Sequence, residues 1–260
     1  MTLEPALQAK GAIAFGVFAA LVILERVAAA VPAPVVSWRV AKNVGLGAMT
    51  YAASPLILLP LALWADANAP WERPASWSGA ATLIADVLIL DLWTYALHRA
   101  YHRVPAMWRL HAPHHLDEHL DATSAIRFHV GEVALSGALR LIPLLALSIP
   151  FAHVVVYELL LFACAAFQHS NWRLPPSIER PLSRVVVTPS IHWVHHHAVR
   201  ADTDSNFCSL FSWWDGVFGT RSGTVRTPRM PIGVEGARDR SFAGLLAAPF
   251  RAETERSAGS

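Results

Sequence analysis

Thirteen histidines stand in this chain of 260 residues, and eight of them fall into three short clusters. HRAYH holds His98 and His102, HAPHH holds His111, His114 and His115, and HWVHH holds His192, His195 and His196. On a helix, residues three and four apart share a face, so each cluster can aim its imidazoles at one point. Imidazole is the commonest metal ligand, and three such clusters can converge on a pair of metal ions, each keeping a position open for oxygen or water. One H-x-x-x-H by itself reads as a pair of capping or exposed histidines; its repetition in three clusters points to metal. The sequence has no H-E-x-x-H motif of zinc proteases and no Glu-x-x-His pair of soluble di-iron bundles. Cys164 and Cys208 lie too far apart in sequence for a C-x-x-C pair and read as inert thiols. Imidazole suits zinc, copper, iron and nickel alike, so ligand type leaves the metal open.

The elements that must position these clusters belong to a membrane protein. Hydrophobic residues make up 54% of the chain and charged ones 15%, with a mean hydropathy of +0.37, too apolar for a soluble domain of this length. The formal charge of +2, carried by scattered basic residues, argues against a nucleic-acid partner. Five apolar stretches, 12–30, 46–64, 80–97, 133–147 and 151–167, approach the roughly 20 residues that a spanning helix needs. Ser148, Ile149 and Pro150 separate the last two, which predicts a tight helical hairpin that either crosses the bilayer or dips into it. The first stretch lacks the basic flank and cleavage context of a signal peptide and reads as a retained helix. Glu25 and Arg26 at its end read as an interfacial ion pair.

Basic residues orient the spans. Arg39 and Lys42 follow the first, and Arg99, Arg103, Arg109 and Arg127 follow the third, whereas WADANAPWERPASW between the second and third has one arginine against two acids. The N-terminus is therefore expected outside the cytoplasm, with every histidine cluster on the cytoplasmic face. Abundant alanine, and arginine in excess of lysine, suggest a bacterial gene and hence the inner membrane. With no internal repeat or low-complexity linker, residues 1–260 read as one all-α polytopic domain: four or five membrane helices beneath a histidine-rich helical metal-binding region. The polar stretch 221–260 reads as a loose tail. Trp93, Tyr95, Tyr101, Trp108, Trp193, Trp213 and Trp214 read as interfacial anchors beside the helix ends.

From residue 91 to 220 the chain resembles the fatty acid hydroxylase and sterol desaturase superfamily of integral-membrane di-iron oxygenases. DLWTYALHRAYH (91–102), HAPHH, RFHVGE (127–132), FQHSN (167–171), PSIHWVHH (189–196), DSNF (204–207) and WDGVFGT (214–220) carry the resemblance. It implies ten metal ligands: His98, His102, His111, His114, His115, His129, His169, His192, His195 and His196, of which His129 and His169 rest on single-histidine motifs. His119, His153 and His197 match nothing recurrent. Val130 and Cys208 depart from the family's habit, and neither replaces a ligand. The resemblance implies two iron ions, replaceable by zinc on purification, with O2 as co-substrate. The reaction implied is hydroxylation, or desaturation, of a lipid C–H bond. No haem-binding segment is present, so electrons would come from a separate reductase, ferredoxin or cytochrome. Asp91, Glu132, Asn171, Asn206 and Asp215 are expected either to orient the ligands or to act as caps and surface pairs. A histidine-site metal transporter fits less well, because transport ligands gather near mid-membrane. A metal-dependent membrane hydrolase would use the same ligands without oxygen.

Overall fold

Lipid offers backbone amides no partner, so a long apolar run satisfies its own hydrogen bonds as a helix. In the computed structural model, which describes residues 3–34 and 38–251, the six long N-terminal helices are α1 (Leu3–Val27), α2 (Trp38–Ala67), α3 (Gly79–Arg103), α4 (Pro105–His115), α5 (Val130–Leu147) and α6 (Phe151–His169). All but α4 are long and apolar enough to cross a membrane. Their bounds exceed the apolar windows where polar residues continue the helical turn. Thus α2 starts at Trp38 and includes Arg39 and Asn43, while α3 runs past His98 and His102 to Arg103. Pro105 then forces Val104 into extended backbone, with φ −95° and ψ 116°, and opens α4 at its first turn.

The hairpin reaches the end of the bundle remote from the histidines. Ser148 takes the left-handed conformation (φ 47°) and closes α5, and Pro150 opens α6. Its tip meets the α2–α3 loop: Ser148 Oγ donates to Trp71 O at 2.8 Å, and Arg73 Nε donates to Leu147 O at 2.8 Å. At about 1.5 Å per residue, the 18 residues of α5 cover about 27 Å, close to the roughly 30 Å of a bilayer core. Arg73 also holds Asp86 with both guanidinium nitrogens, at 2.7 and 2.9 Å.

Helix α5 lies against α2, where a Cβ on Gly137 would come within 2.3 Å of Leu58 Cδ2. An ion-pair cluster, Lys10–Glu158–Arg140, ties α1, α6 and α5 together. Leu90, Leu144 and Tyr157 are buried between the spans, while Phe15, Tyr51 and Leu56 are each more than 70% exposed, as outward positions facing lipid would be.

Short elements build the histidine lobe: a 3-10 turn at Ala122–Ile126, then α7 (Pro176–Leu182), α8 (Pro189–His195), α9 (Arg200–Thr203), α10 (Trp213–Val217) and α11 (Phe242–Ala247). Among the described residues no strand forms. Isolated bridges such as Ala29 to Trp172 and His197 to Ile232 tie loops together instead.

Three expectations change here. The tail expected to be loose packs onto the lobe as far as residue 251: Leu245 and Ala248 are buried, and Asp239 pairs with Lys42 and Arg127. The apolar run FAGLLA folds as α11 and lies against Leu46 and Leu116; residues 252–260 lie outside the described residues. Glu25 turns inward rather than bonding Arg26, and accepts from the amides of Ala122 (2.9 Å) and Asn171 (3.0 Å). Tyr95, Tyr101, Trp108 and Trp193 are buried in the lobe rather than anchored at an interface.

Candidate metal centre

Four helices deliver imidazoles to one place. His98 and His102 leave the last turns of α3; His111, His114 and His115 come from α4; His169 ends α6; His192 and His195 lie on α8, with His196 as its cap. They sort into two groups, His98, His102, His111, His115 and His195 in one and His114, His169, His192 and His196 in the other. Within each group one nitrogen of every ring lies within 4.8 Å of the others. Helical spacing performs the sorting. His111 and His115, four apart on α4, serve the first group, and His114 turns to the second; His192 and His196 serve the second, and His195 turns to the first. The groups adjoin where His115 and His196 stack with ring centroids 4.3 Å apart.

Acceptors around the outside set the tautomers. His98 Nδ1 lies 2.9 Å from Phe207 O, His195 Nδ1 2.7 Å from Ser205 O, His169 Nδ1 2.7 Å from Ala165 O, and His114 Nδ1 3.3 Å from Arg127 O. His111 Nδ1 meets the Glu132 carboxylate at 2.7 Å. Each acceptor holds the proton on Nδ1 and leaves the Nε2 lone pair facing inward. Those lone pairs then confront one another. Nε2 to Nε2 separations are 3.2 Å for His111 and His115, 3.1 Å for His114 and His169, 3.0 Å for His169 and His192, and 3.2 Å for His192 and His196. His98 Nε2 is buried with no hydrogen-bond partner. Burial, followed by repulsion from neighbouring imidazoles, pushes the pKa of His114, His115, His192 and His196 well below the usual histidine range. Neutral, inward-facing and buried lone pairs at hydrogen-bond spacing fit divalent cations of the imidazole-binding kind.

His129 is not brought to either group. Its position just before α5 makes it that helix's cap: Nδ1 accepts from Gly131 N at 3.0 Å, and Nε2 lies 3.2 Å from Leu246 O. Both nitrogens are thus engaged away from the centre. His153 and His197 bind Asp86 and Asp202, at 2.6 and 2.7 Å, and His119 lies beside Trp193.

Of the five polar residues expected to orient ligands or cap elements, Glu132 alone touches one of the gathered imidazoles. Asp91 instead accepts from Leu210 N, Phe211 N and Trp214 Nε1, at 3.0, 3.1 and 2.9 Å. Asp215 accepts from Phe207 N and Cys208 N at 2.8 and 3.2 Å. Together they hold the loop whose Phe207 carbonyl orients His98. Asn171 clasps Val31, and Asn206, at φ 52°, bonds Ile191 O and Ser222 N. Burial and the nearby Asp215 carboxylate push the Cys208 thiol up, in keeping with an inert role.

A second polar network went unread in the sequence. Arg39 donates to Asp117 at 2.8 Å and pairs with Asp121, and Asn43 Nδ2 donates to Asp117 and Thr123, both at 3.0 Å. Arg127, fully buried, donates to Asn43 Oδ1 at 2.9 Å and to Pro113 O at 2.7 Å. This network braces the C-terminal end of α4, where His114 and His115 stand. Arg39 and Asn43 are four residues apart, a shared helix face ahead of an apolar run, and that spacing was the available signal.

Comparison with known proteins places this arrangement. The fatty acid hydroxylase profile matches residues 83–220, which include every histidine of both groups. Similar proteins include the ornithine lipid hydroxylase OlsE of Rhizobium tropici, 28% identical over 68% of this chain and 53% of its own. Human alkylglycerol monooxygenase is 33% identical over 59% of this chain and 32% of its own. Rat methylsterol monooxygenase 1 is 28% identical over 58% of this chain and 50% of its own. The chain thus spans about half or less of the length of these curated relatives. No solved structure matches it. The matched segment covers more than half of the chain and all of the gathered imidazoles, and the chain belongs to the fatty acid hydroxylase family.

Proposed function

We propose that this chain is a membrane-bound oxygenase that hydroxylates a C–H bond of a lipid, with one iron ion held by each histidine group. The observation that carries this reading is the pair of adjoining groups with their Nε2 lone pairs turned inward. His98, His102, His111, His115 and His195 would hold one ion, and His114, His169, His192 and His196 the other. When bound, the iron pair supplies activation of O2 and oxidation of an unactivated C–H bond. Overall, the C–H becomes C–OH, the second oxygen atom leaves as water, and a separate donor provides the electrons and protons.

The chain's own residues keep the ligands neutral, fix their tautomers and exclude bulk water. The lobe stands at the helix ends that the basic residues assign to the cytoplasm, where a soluble donor has access. The relatives act, by their names, on ornithine lipids, alkylglycerols and methylsterols, and this supports a lipid substrate. Ligands at span ends rather than at mid-membrane disfavour transport.

Iron-loaded protein, a chemical reductant and oxygen-18 dioxygen, supplied with a bacterial lipid extract, test the reading. One labelled oxygen atom incorporated into a lipid is expected. Lipid turnover without oxygen would favour the hydrolase, and absence of label from fully loaded protein would contradict the oxygenase.

A further inference from the structure

Away from the histidines, a cavity of about 350 Å³ opens on the lobe beside α7 and α8. Arg173, Arg180 and Arg226 line it together with Glu179, Ser183 and Ser190. Three cations face one acid, so the cavity carries a surplus of positive charge. Among the described residues, none of the three guanidinium groups has a hydrogen bond or carboxylate ion pair. The Arg226 guanidinium lies over the Trp193 ring, with its central carbon 3.7 Å from the ring centroid, and its Nη2 is buried with no partner. Glu179 is already engaged, accepting from Ser190 N at 3.1 Å.

Position narrows the occupant. Ala30, also on the cavity wall, follows the apolar span of α1, and Arg173 follows the end of α6; Arg173 N donates to Ala28 O at 2.8 Å. The cavity therefore sits where two spans meet the lobe, at headgroup depth, next to Trp172, a residue type that favours that depth. A concave space of this size suits a small anionic group better than the flat face of a protein partner. Guanidinium groups bind phosphate oxygens in fixed, paired geometry.

We propose that this cavity seats the phosphate of an anionic membrane-lipid headgroup. Arg226 lies over Trp193, which stands between His192 and His195 on α8, and Ser190 of the same helix lines the cavity. The inference goes beyond the oxygenase reading, and its test reads binding alone, so the two fail separately.

The full chain, purified in detergent, is titrated with phosphatidylglycerol, phosphatidylcholine or inorganic phosphate, and retained ligand is read by native mass spectrometry. Phosphatidylglycerol should bind in preference to phosphatidylcholine. The triple change Arg173→Gln, Arg180→Gln, Arg226→Gln should weaken it on the order of a hundredfold, at about one kcal/mol for each surface arginine. Arg180→Gln, at an exposed position, should weaken it by about fivefold, while Arg238→Gln, the same charge change elsewhere on the lobe, should not. The single variants keep the test decisive should the triple variant fold poorly. Equal retention of both lipids, or equal weakening by Arg238→Gln, would overturn the proposal. Saturation by inorganic phosphate with no selective lipid retention would mark a free-anion site and overturn the headgroup assignment.

Discussion

Five imidazoles of the centre, His98, His111, His114, His169 and His195, are oriented by an acceptor on their outer nitrogen. Glu132 holds His111 at 2.7 Å, and replacing its carboxyl by a carboxamide of the same shape, as in Glu132→Gln, should lower metal affinity roughly 10- to 100-fold. Competition with a chromogenic chelator measures it, and unchanged affinity would refute the orienting role. His129 supplies the opposite case. As a helix cap outside both groups, His129→Ala should cost about 1 kcal/mol of stability and leave metal content unchanged, whereas His111→Ala should reduce it; thermal melting and metal analysis of both variants check this. The gathering of the eight cluster histidines was legible from their helical spacing, but the expectation that each cluster aims at one point was not met, because His114 and His195 turn to the group opposite their neighbours. His169 was legible only through its motif, and the capping role of His129 was not, because capping depends on where α5 begins. The carbonyls of Phe207, Ser205, Ala165 and Arg127 could not be read at all, since every residue carries one.

Between residue and molecule, the elements set the lone pairs at 3.0 to 3.2 Å. α4 is braced by the Arg39–Asp117–Asn43–Arg127 network, and the loop after α9 is held by Asp91 and Asp215. In Asp91→Ala the buried Leu210 amide would lose its acceptor, at roughly 1–3 kcal/mol for each orphaned donor. A lower melting temperature is expected, together with reduced metal retention; loss of neither would remove Asp91 from the account. Gly47 on α2 faces Ile126, whose Cβ would lie 2.9 Å from an added methyl group. Gly47→Ala should therefore destabilise by about 1–3 kcal/mol, measurable by thermal melting in detergent. The five helices long and apolar enough to cross a membrane were legible from apolar length. The fold of residues 221–251 was not, because α11 has six residues and takes its stability from Leu46 and Leu116 rather than from local pattern.

At the scale of the whole molecule, a membrane bundle concentrates nine imidazoles in one lobe, and burial of rings in their neutral form makes stability depend on pH. The folded pKa values of His114, His115, His192 and His196 lie below their unfolded value of 6.5. Below that pH the unfolded chain binds more protons than the folded one, so stability is fully present above about pH 6.5 and is lost as pH falls through it. Chelator-treated protein should accordingly melt at lower temperature at about pH 5.5 than at about pH 7.5, and equal melting temperatures would contradict burial of neutral rings. The central claim is that two adjoining histidine groups each hold a metal ion. Metal analysis of protein made in iron-replete cells, purified in detergent under anaerobic conditions beside a His115→Ala, His196→Ala variant, tests it most directly. About two iron ions per chain, one per group, are expected, with loss in the variant; a chain with no bound metal, or with metal indifferent to both substitutions, would contradict two histidine-held ions.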